Sequence, residues 1–371
     1  MITINIEPTS RCNARCSYCM QSQNSSNIPT EDSFLPLAIH QKFFSELGGL
    51  MNDFSCMPVI DTDIYLRYCG VGEPTLHPDF IRMFKEAISF PKVKILAVLS
   101  NGSGWNRDFC EEFLEIAALN PDKLVELVFS LDTLRSITQY KIKKLENIDR
   151  VISDLRWLLD MKAKRNLRNI HPVFQMIILE ENHSEAKEFL SFWSRESEER
   201  KLSWRLVSDS TYTKYFASTD CFIWFKLRDS EALIQKKYCE LQNIALKEAG
   251  FAAGEDKAEK DGKDQGHEGR FDRVCSMLWY GVNLSAKGLI SPCCIDVDFQ
   301  LKIGNCKNSS LSEIYSGQRM RDLRLAHING NLNEVPLCAT CCLLYKGVPA
   351  SEKEVLMYLD GRSPQYGKFF F

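Results

Sequence analysis

Over the first two hundred residues, apolar and polar positions follow two alternating rhythms. Short apolar runs suited to buried strands fall at 2–6, 63–69, 94–101, 123–132, 171–179 and 202–207. Between them, the segments 37–50, 78–89, 107–119, 147–164 and 184–198 carry apolar residues at the spacing of amphipathic helices. The fourth is the plainest, with Ile148, Val151, Ile152, Leu155, Leu158 and Leu159 on one side. Helices that separate short strands imply right-handed crossovers and a parallel sheet. The pattern predicts an α/β fold, a partial (β/α)6 TIM-like barrel with its site at the C-terminal ends of the strands.

The rhythm stops after residue 207. The stretch 208–271 reads as a linker or insertion, and 252–270, charged and nearly free of large apolar groups, as a mobile loop. Order returns with a hairpin expected over 279–284 and 289–290, turning through 285–288. Ser310 and Glu313 stand in the spacing of a capping box, ahead of a helix running to about His327. The expected division is a barrel over 1–207, a linker over 208–271, a small α+β unit over 272–345, and a final helix and docking tail over 346–371.

Composition narrows the classes. The 371 residues are 44% hydrophobic and 26% charged, with a net charge of −3, so the chain is globular without the basic excess of a nucleic-acid-binding protein. No apolar run reaches the length of a membrane span, and no charged-then-apolar leader precedes the first strand. The fifteen cysteines cluster at metal-ligand spacings, which points to metal or cluster binding in a reducing cytoplasm rather than to disulfides.

Cys12, Cys16 and Cys19 form C-x3-C-x2-C directly after the first strand. Soft thiolates suit iron–sulfur clusters and zinc, and three is one short of a closed set. A four-iron cluster held this way keeps one iron open; a zinc site completed from elsewhere and three packed thiols are the alternatives. Tyr18 precedes the third cysteine, and the second strand runs into Gly70-Val71-Gly72-Glu73-Pro74.

This C-x3-C-x-Tyr-C loop and G-x-G-E-P turn resemble the signatures of the radical S-adenosylmethionine (SAM) superfamily. The resemblance implies an open iron that chelates the SAM amine and carboxylate, and reductive cleavage to a 5′-deoxyadenosyl radical. It implies that Tyr18 lies against adenine and that Gly70, Gly72 and Glu73 grip the SAM amino group. Ser100, Asn101 and Asp132, at the ends of the third and fourth strands, become candidate ribose or carboxylate contacts, against a plain turn-and-cap reading. Cys275, Gly288-x4-Cys293 and Cys338-x2-Cys341 resemble the SPASM/twitch extension of the same superfamily, which holds an auxiliary [4Fe–4S] cluster, with zinc as the alternative. The implied cofactors are SAM and two [4Fe–4S] clusters, with a flavodoxin- or ferredoxin-type electron donor.

The expected reaction is two-electron oxidation of a small polar substrate, of sugar or aminocyclitol type, with a short peptide also open. The alternatives are a maturase or epimerase in which Cys294, Cys306 or Cys342 returns a hydrogen atom, and a non-enzymatic iron–sulfur or zinc scaffold. Arg205, in the sixth strand, is a candidate substrate contact or a structural ion-pair partner.

Overall fold

The computed structural model describes residues 1–19, 22, 33–52, 63–208, 212–226, 232–250, 274–339 and 341. Ten strands form one sheet: β1 (Ile2–Ile6), β2 (Ile64–Tyr68), β3 (Val93–Ser100), β4 (Leu124–Ser130), β5 (Ile170–Ile177), β6 (Trp204–Val207), β7 (Cys221–Lys226), β8 (Gly281–Leu284), β9 (Leu289–Ser291) and β10 (Gly304–Asn305). The helices of the first part are α1 (Leu37–Asn52), α2 (Phe80–Ser89), α3 (Arg107–Ala118), α4 (Ser136–Lys143), α5 (Ile148–Lys164), α6 (Ala186–Glu199) and α7 (Ala232–Glu248). Those that follow are α8 (Met277–Tyr280), α9 (Leu311–Ser316), α10 (Gln318–Ile328) and α11 (Pro336–Ala339).

The sheet order is β10-β9-β8-β1-β2-β3-β4-β5-β7-β6. From β8 to β6 every neighbouring pair is parallel, the architecture expected of a partial barrel followed by a C-terminal unit.

Alternate residues of each strand divide between two environments. Ile2, Ile4, Ile6, Leu66, Tyr68, Leu96, Val98, Val125, Leu127 and Phe129 join the large core shared with the helices. Their neighbours turn to the concave side, where Ile95, Val128, Val173, Val207, Phe222 and Trp224 form a second cluster with Tyr212 and Phe216. Tyr65 and Arg67 share that side of β2 and are only partly buried. The concave side is the lumen.

Three expectations need correction. The stretch 208–271 is not a linker throughout: β7 lies in it and takes the place beside β5, and α7 follows. The periodicity hid β7 because a short 3-10 turn, Tyr212–Tyr215, links β6 to β7 where a helix would have kept the rhythm. Arg205 therefore sits on an edge strand. Second, Trp279 and Tyr280 belong to α8, so the hairpin starts at Gly281. Third, the helix capped by Ser310 ends at Ser316, and α10 restarts after Gly317, although the Ser310–Glu313 capping box forms as expected. The 252–270 segment, the tail from 346 and Cys342 lie outside the described residues.

Candidate active site

The site is assembled at the C-terminal ends of β1 to β4, which the parallel register brings level: Ile6 faces Tyr68, Tyr68 faces Val98, and Ser100 faces Phe129. After β1 the chain leaves the sheet as an irregular loop bearing Cys12, Cys16 and Cys19. The amides of Arg15 and Ser17 each donate at 2.8 Å to carbonyls of α4, those of Lys143 and Ile142. The Tyr18 hydroxyl donates at 2.6 Å to Asp132, which also pairs with Lys143 at 3.0 Å. The loop is thus held from behind, its thiols partly exposed on the other side.

The G-x-G-E-P turn packs against this loop without intervening side chains. A Cβ on Gly72 would stand 1.9 Å from the Thr9 carbonyl oxygen and 2.8 Å from that of Arg11, so only glycine fits. The Glu73 amide donates to the Arg11 carbonyl at 2.8 Å. Gly70 adopts φ +143°, and its Cβ would strike the Glu7 side chain. Val71, which replaces a glycine of the usual turn, is absent from the positive-φ residues, so it carries no strain.

Several expected SAM contacts are engaged within the protein. Glu73 Oε1 accepts from the Ser100 and Thr75 hydroxyls, each at 2.7 Å, and Oε2 accepts from the Asn101 amide at 2.7 Å. Ser100 is buried and also accepts from Trp105 Nε1. Asp132 is fully buried; besides Tyr18 and Lys143 it accepts from the Ile177 amide, and its backbone takes φ +68°. These three act as struts joining strand ends to the cysteine loop. Asn101 stays partly exposed, its side-chain amide 2.9 Å from Asn13 Oδ1 and 4.0 Å from Cys12 Sγ, facing the thiols.

Burial pushes the Cys12 thiol up and the Cys16 thiol up to about 11, with neighbouring thiols among the lesser causes for both. Among the described residues no three His, Cys, Asp or Glu side chains converge as ligands of one metal ion. Ligands of a four-iron cluster sit on separate corners and stand wider apart than those of a single ion. Three soft thiols, mutually within electrostatic reach and with partial exposure, suit a cluster with one open corner.

The auxiliary cysteines gather on the far side of β1. Burial likewise raises Cys275 to about 11 and Cys338 to about 12, and raises Cys293 further still. Cys293 and Cys338 lie within electrostatic reach of Cys275, and Cys341 within reach of Cys275 and Cys338. Cys294 is likewise within electrostatic reach of Cys275, Cys293 and Cys341, and in addition faces the Arg67 guanidinium in the lumen, which chiefly offsets its burial. Cys306 stands apart from both groups of cysteines. It is fully buried beneath α1, where Lys42 bonds its carbonyl at 2.7 Å, and burial raises its thiol to about 12. It faces no pocket. Arg205 lies over the Tyr215 ring at 4.1 Å.

Sequence reasoning overlooked the lumen itself. Asn5, Glu7, Cys69, Gly70, Cys293 and Cys294 border one pocket between the SAM-type turn and the auxiliary loop. Beneath it, Arg67 Nε donates to Asn5 Oδ1 at 2.7 Å, and Asn5 is fixed in turn by Asn283 on β8. Deeper, Glu126 accepts from the hydroxyls of Tyr65, at 2.6 Å, and Tyr212. The available signal was a polar residue recurring on one side of otherwise apolar parallel strands.

Comparison with known proteins agrees with this layout. Residues 275–342 match the SPASM iron–sulfur cluster-binding domain. A GTP 3′,8-cyclase of Lactiplantibacillus plantarum is 26% identical over 191 residues, 51% of this chain and 49% of that protein. The Caenorhabditis elegans molybdenum cofactor biosynthesis protein moc-5 is 24% identical over 98% of this chain and 51% of its own. The chain spans about half the length of these curated relatives. The anSMEcpe structure with bound AdoMet superposes with a TM-score of 0.50 at 11% identity, covering 99% of both chains. Streptococcus suis SuiB gives 0.50 at 14%, covering 87% of this chain and 68% of its own; both show the shared fold. The cysteine loop on a parallel partial barrel, joined to a SPASM-type unit over residues 275–342, is the layout that the radical SAM resemblance leads one to expect.

Proposed function

We propose that the protein reductively cleaves SAM at a cluster held by Cys12, Cys16 and Cys19, and oxidises a small polar substrate in the barrel lumen by two electrons. The bound cofactors supply a 5′-deoxyadenosyl radical, after one electron from a flavodoxin- or ferredoxin-type donor. The substrate gives one hydrogen atom to that radical and then a proton to solvent; Cys275, Cys293, Cys338 and Cys341 would hold an auxiliary cluster, which would supply an acceptor for the remaining electron.

One observation supports this reading above the rest: a single pocket is bordered by the SAM-type turn, at Gly70 and Val71, and by the auxiliary loop, at Cys293 and Cys294. A substrate there lies between the radical source and an electron acceptor. On this reading the protein's own residues position: Asp132 and α4 fix the cysteine loop, and Glu73 locks the turn to β3.

The test is anaerobic reconstitution. The protein should bind about eight irons, and replacing Cys12, Cys16 and Cys19 by alanine should leave about half. That variant should form no 5′-deoxyadenosine; continued formation would end the proposal. The position of Cys294 on the pocket favours a second reading, hydrogen-atom return in an epimerase or peptide maturase. Oxidation gives a product two mass units lighter, whereas return from an exchangeable thiol leaves deuterium from heavy water in a product of unchanged composition.

A further inference from the structure

The lumen is unbalanced in its polar groups. Its carboxylates are committed to neutral donors. Glu126 takes two tyrosine hydroxyls. Glu7 takes the amides of Val71, at 3.1 Å, and Ala286, at 3.0 Å. Asp296, on the auxiliary side, takes the Ser291 hydroxyl at 2.8 Å and the amides of Gln300 and Leu301. None of the three forms an ion pair with a lumen cation among the described residues.

The donors are not committed in the same way. Arg67 spends Nε on Asn5 and lies 5.6 Å from the Tyr65 ring centroid, while its two terminal nitrogens have no partner among the described residues. A chain from Ser291 through Asn283 and Asn5 holds that guanidinium in place. Across the lumen, Trp224 Nε1 is a buried donor without an acceptor among the described residues. Trp224 packs against Tyr212, so an unbroken line of Arg67, Tyr65, Glu126, Tyr212 and Trp224 crosses the floor. The Lys226 ammonium is near enough to influence Cys69, as is Arg67.

A buried donor without an acceptor, such as Trp224 Nε1, is costly, and the partly buried Arg67 guanidinium feels the Glu126 charge without bonding it, so its terminal nitrogens remain available to a directly bonded anion. A bound anion gives both an acceptor. The two free nitrogens of a guanidinium present a planar fork that matches the two oxygens of a carboxylate.

We propose that the lumen binds a carboxylate-bearing substrate whose carboxylate is received by the terminal nitrogens of Arg67, with Trp224 Nε1 as a further donor to substrate oxygen. This rests on the radical SAM reading above and names the substrate class within it. Anchored at Arg67, beside Cys69 and beneath the pocket, the substrate points its remaining carbons toward the SAM-type turn.

The reconstituted full-length protein, SAM and dithionite are incubated with a deuterium-labelled metabolite extract separated by anion exchange. Deuterium appearing in 5′-deoxyadenosine reports the fraction that donates hydrogen. The donor should be in the retained fraction and be lost after carboxyl methylation. Arg67→Met should reduce deuterium transfer by about tenfold or more, and Arg67→Lys by less, because a point charge replaces the fork. Both should still form undeuterated 5′-deoxyadenosine. A donor in the unretained fraction, or Arg67→Met transferring deuterium like the wild type, overturns the carboxylate assignment alone. Wild-type protein that forms no 5′-deoxyadenosine removes the radical SAM reading and this inference with it. A binding measurement needs no turnover: the protein should enhance carboxyl relaxation of [1-13C]acetate more than Arg67→Met does, and equal enhancement counts against the proposal.

Discussion

Removing the Tyr18 hydroxyl isolates one strut of the cysteine loop. It donates at 2.6 Å to a buried, ion-paired Asp132, a bond to a charged acceptor worth about 1.5–3 kcal/mol. Tyr18→Phe should lower unfolding stability by that order in denaturant titration and leave less iron on the loop after reconstitution. Unchanged stability and iron would mean that the contacts to α4 suffice. Gly72 tests the turn. Alanine there would bring a Cβ within 1.9 Å of the Thr9 carbonyl oxygen, backbone against backbone, where no side chain can swing away. Gly72→Ala should cost more than the roughly 1–3 kcal/mol of ordinary overpacking. SAM affinity, read by equilibrium dialysis, should fall with it; wild-type affinity would mean that the turn shifts without harm to the site.

At the scale of elements, β7 is the strand on which the lumen's far wall depends, and a buried ion pair secures its start. Asp220 pairs with Lys162 of α5 at 3.2 Å and accepts from the Ser203 hydroxyl and amide. Asp220→Ala leaves a buried ammonium without its counter-charge, so it should destabilise by about 3–5 kcal/mol in chemical denaturation. A loss below about 1 kcal/mol would show that the Leu167 carbonyl, 2.8 Å from the ammonium, satisfies it unaided. That wall is also where the sequence was least legible. β1 to β5 could be read because each is followed by a helix with a clear apolar stripe; β7 follows a turn and carries large apolar groups on both faces. The cysteine spacings and the G-x-G-E-P turn were legible because their chemistry is local. Asn5, Arg67 and Glu126 were not: each is a polar residue in a largely apolar strand, Asn5 and Arg67 meet only once β1 pairs with β2, and Glu126 joins them only through the Tyr65 hydroxyl.

For the molecule as a whole, β8 matters most, because it extends the barrel sheet. It pairs in parallel with β1, and Tyr315 of α9 bonds the Gly281 carbonyl at its start. The C-terminal unit is therefore part of the barrel wall and not an appended module. A chain ending at residue 271 would leave β1 with an unpaired edge, a template for association. It should elute as higher oligomers or aggregate where the full chain does not, by size exclusion with light scattering. A monodisperse, folded truncate would show that the barrel closes its edge without β8.

The β1–β8 pairing also sets a schedule. Asn5 and Asn283, which bond across it, are 278 residues apart in the chain. Ribosomes adding about 5–20 residues per second need roughly 15–55 s to pass from one to the other. Throughout that interval the loop bearing Cys12, Cys16 and Cys19 has been synthesised while the wall beside it has not. A cluster of the kind proposed for those thiols would thus have its ligands synthesised well before the strand that flanks β1 on that side.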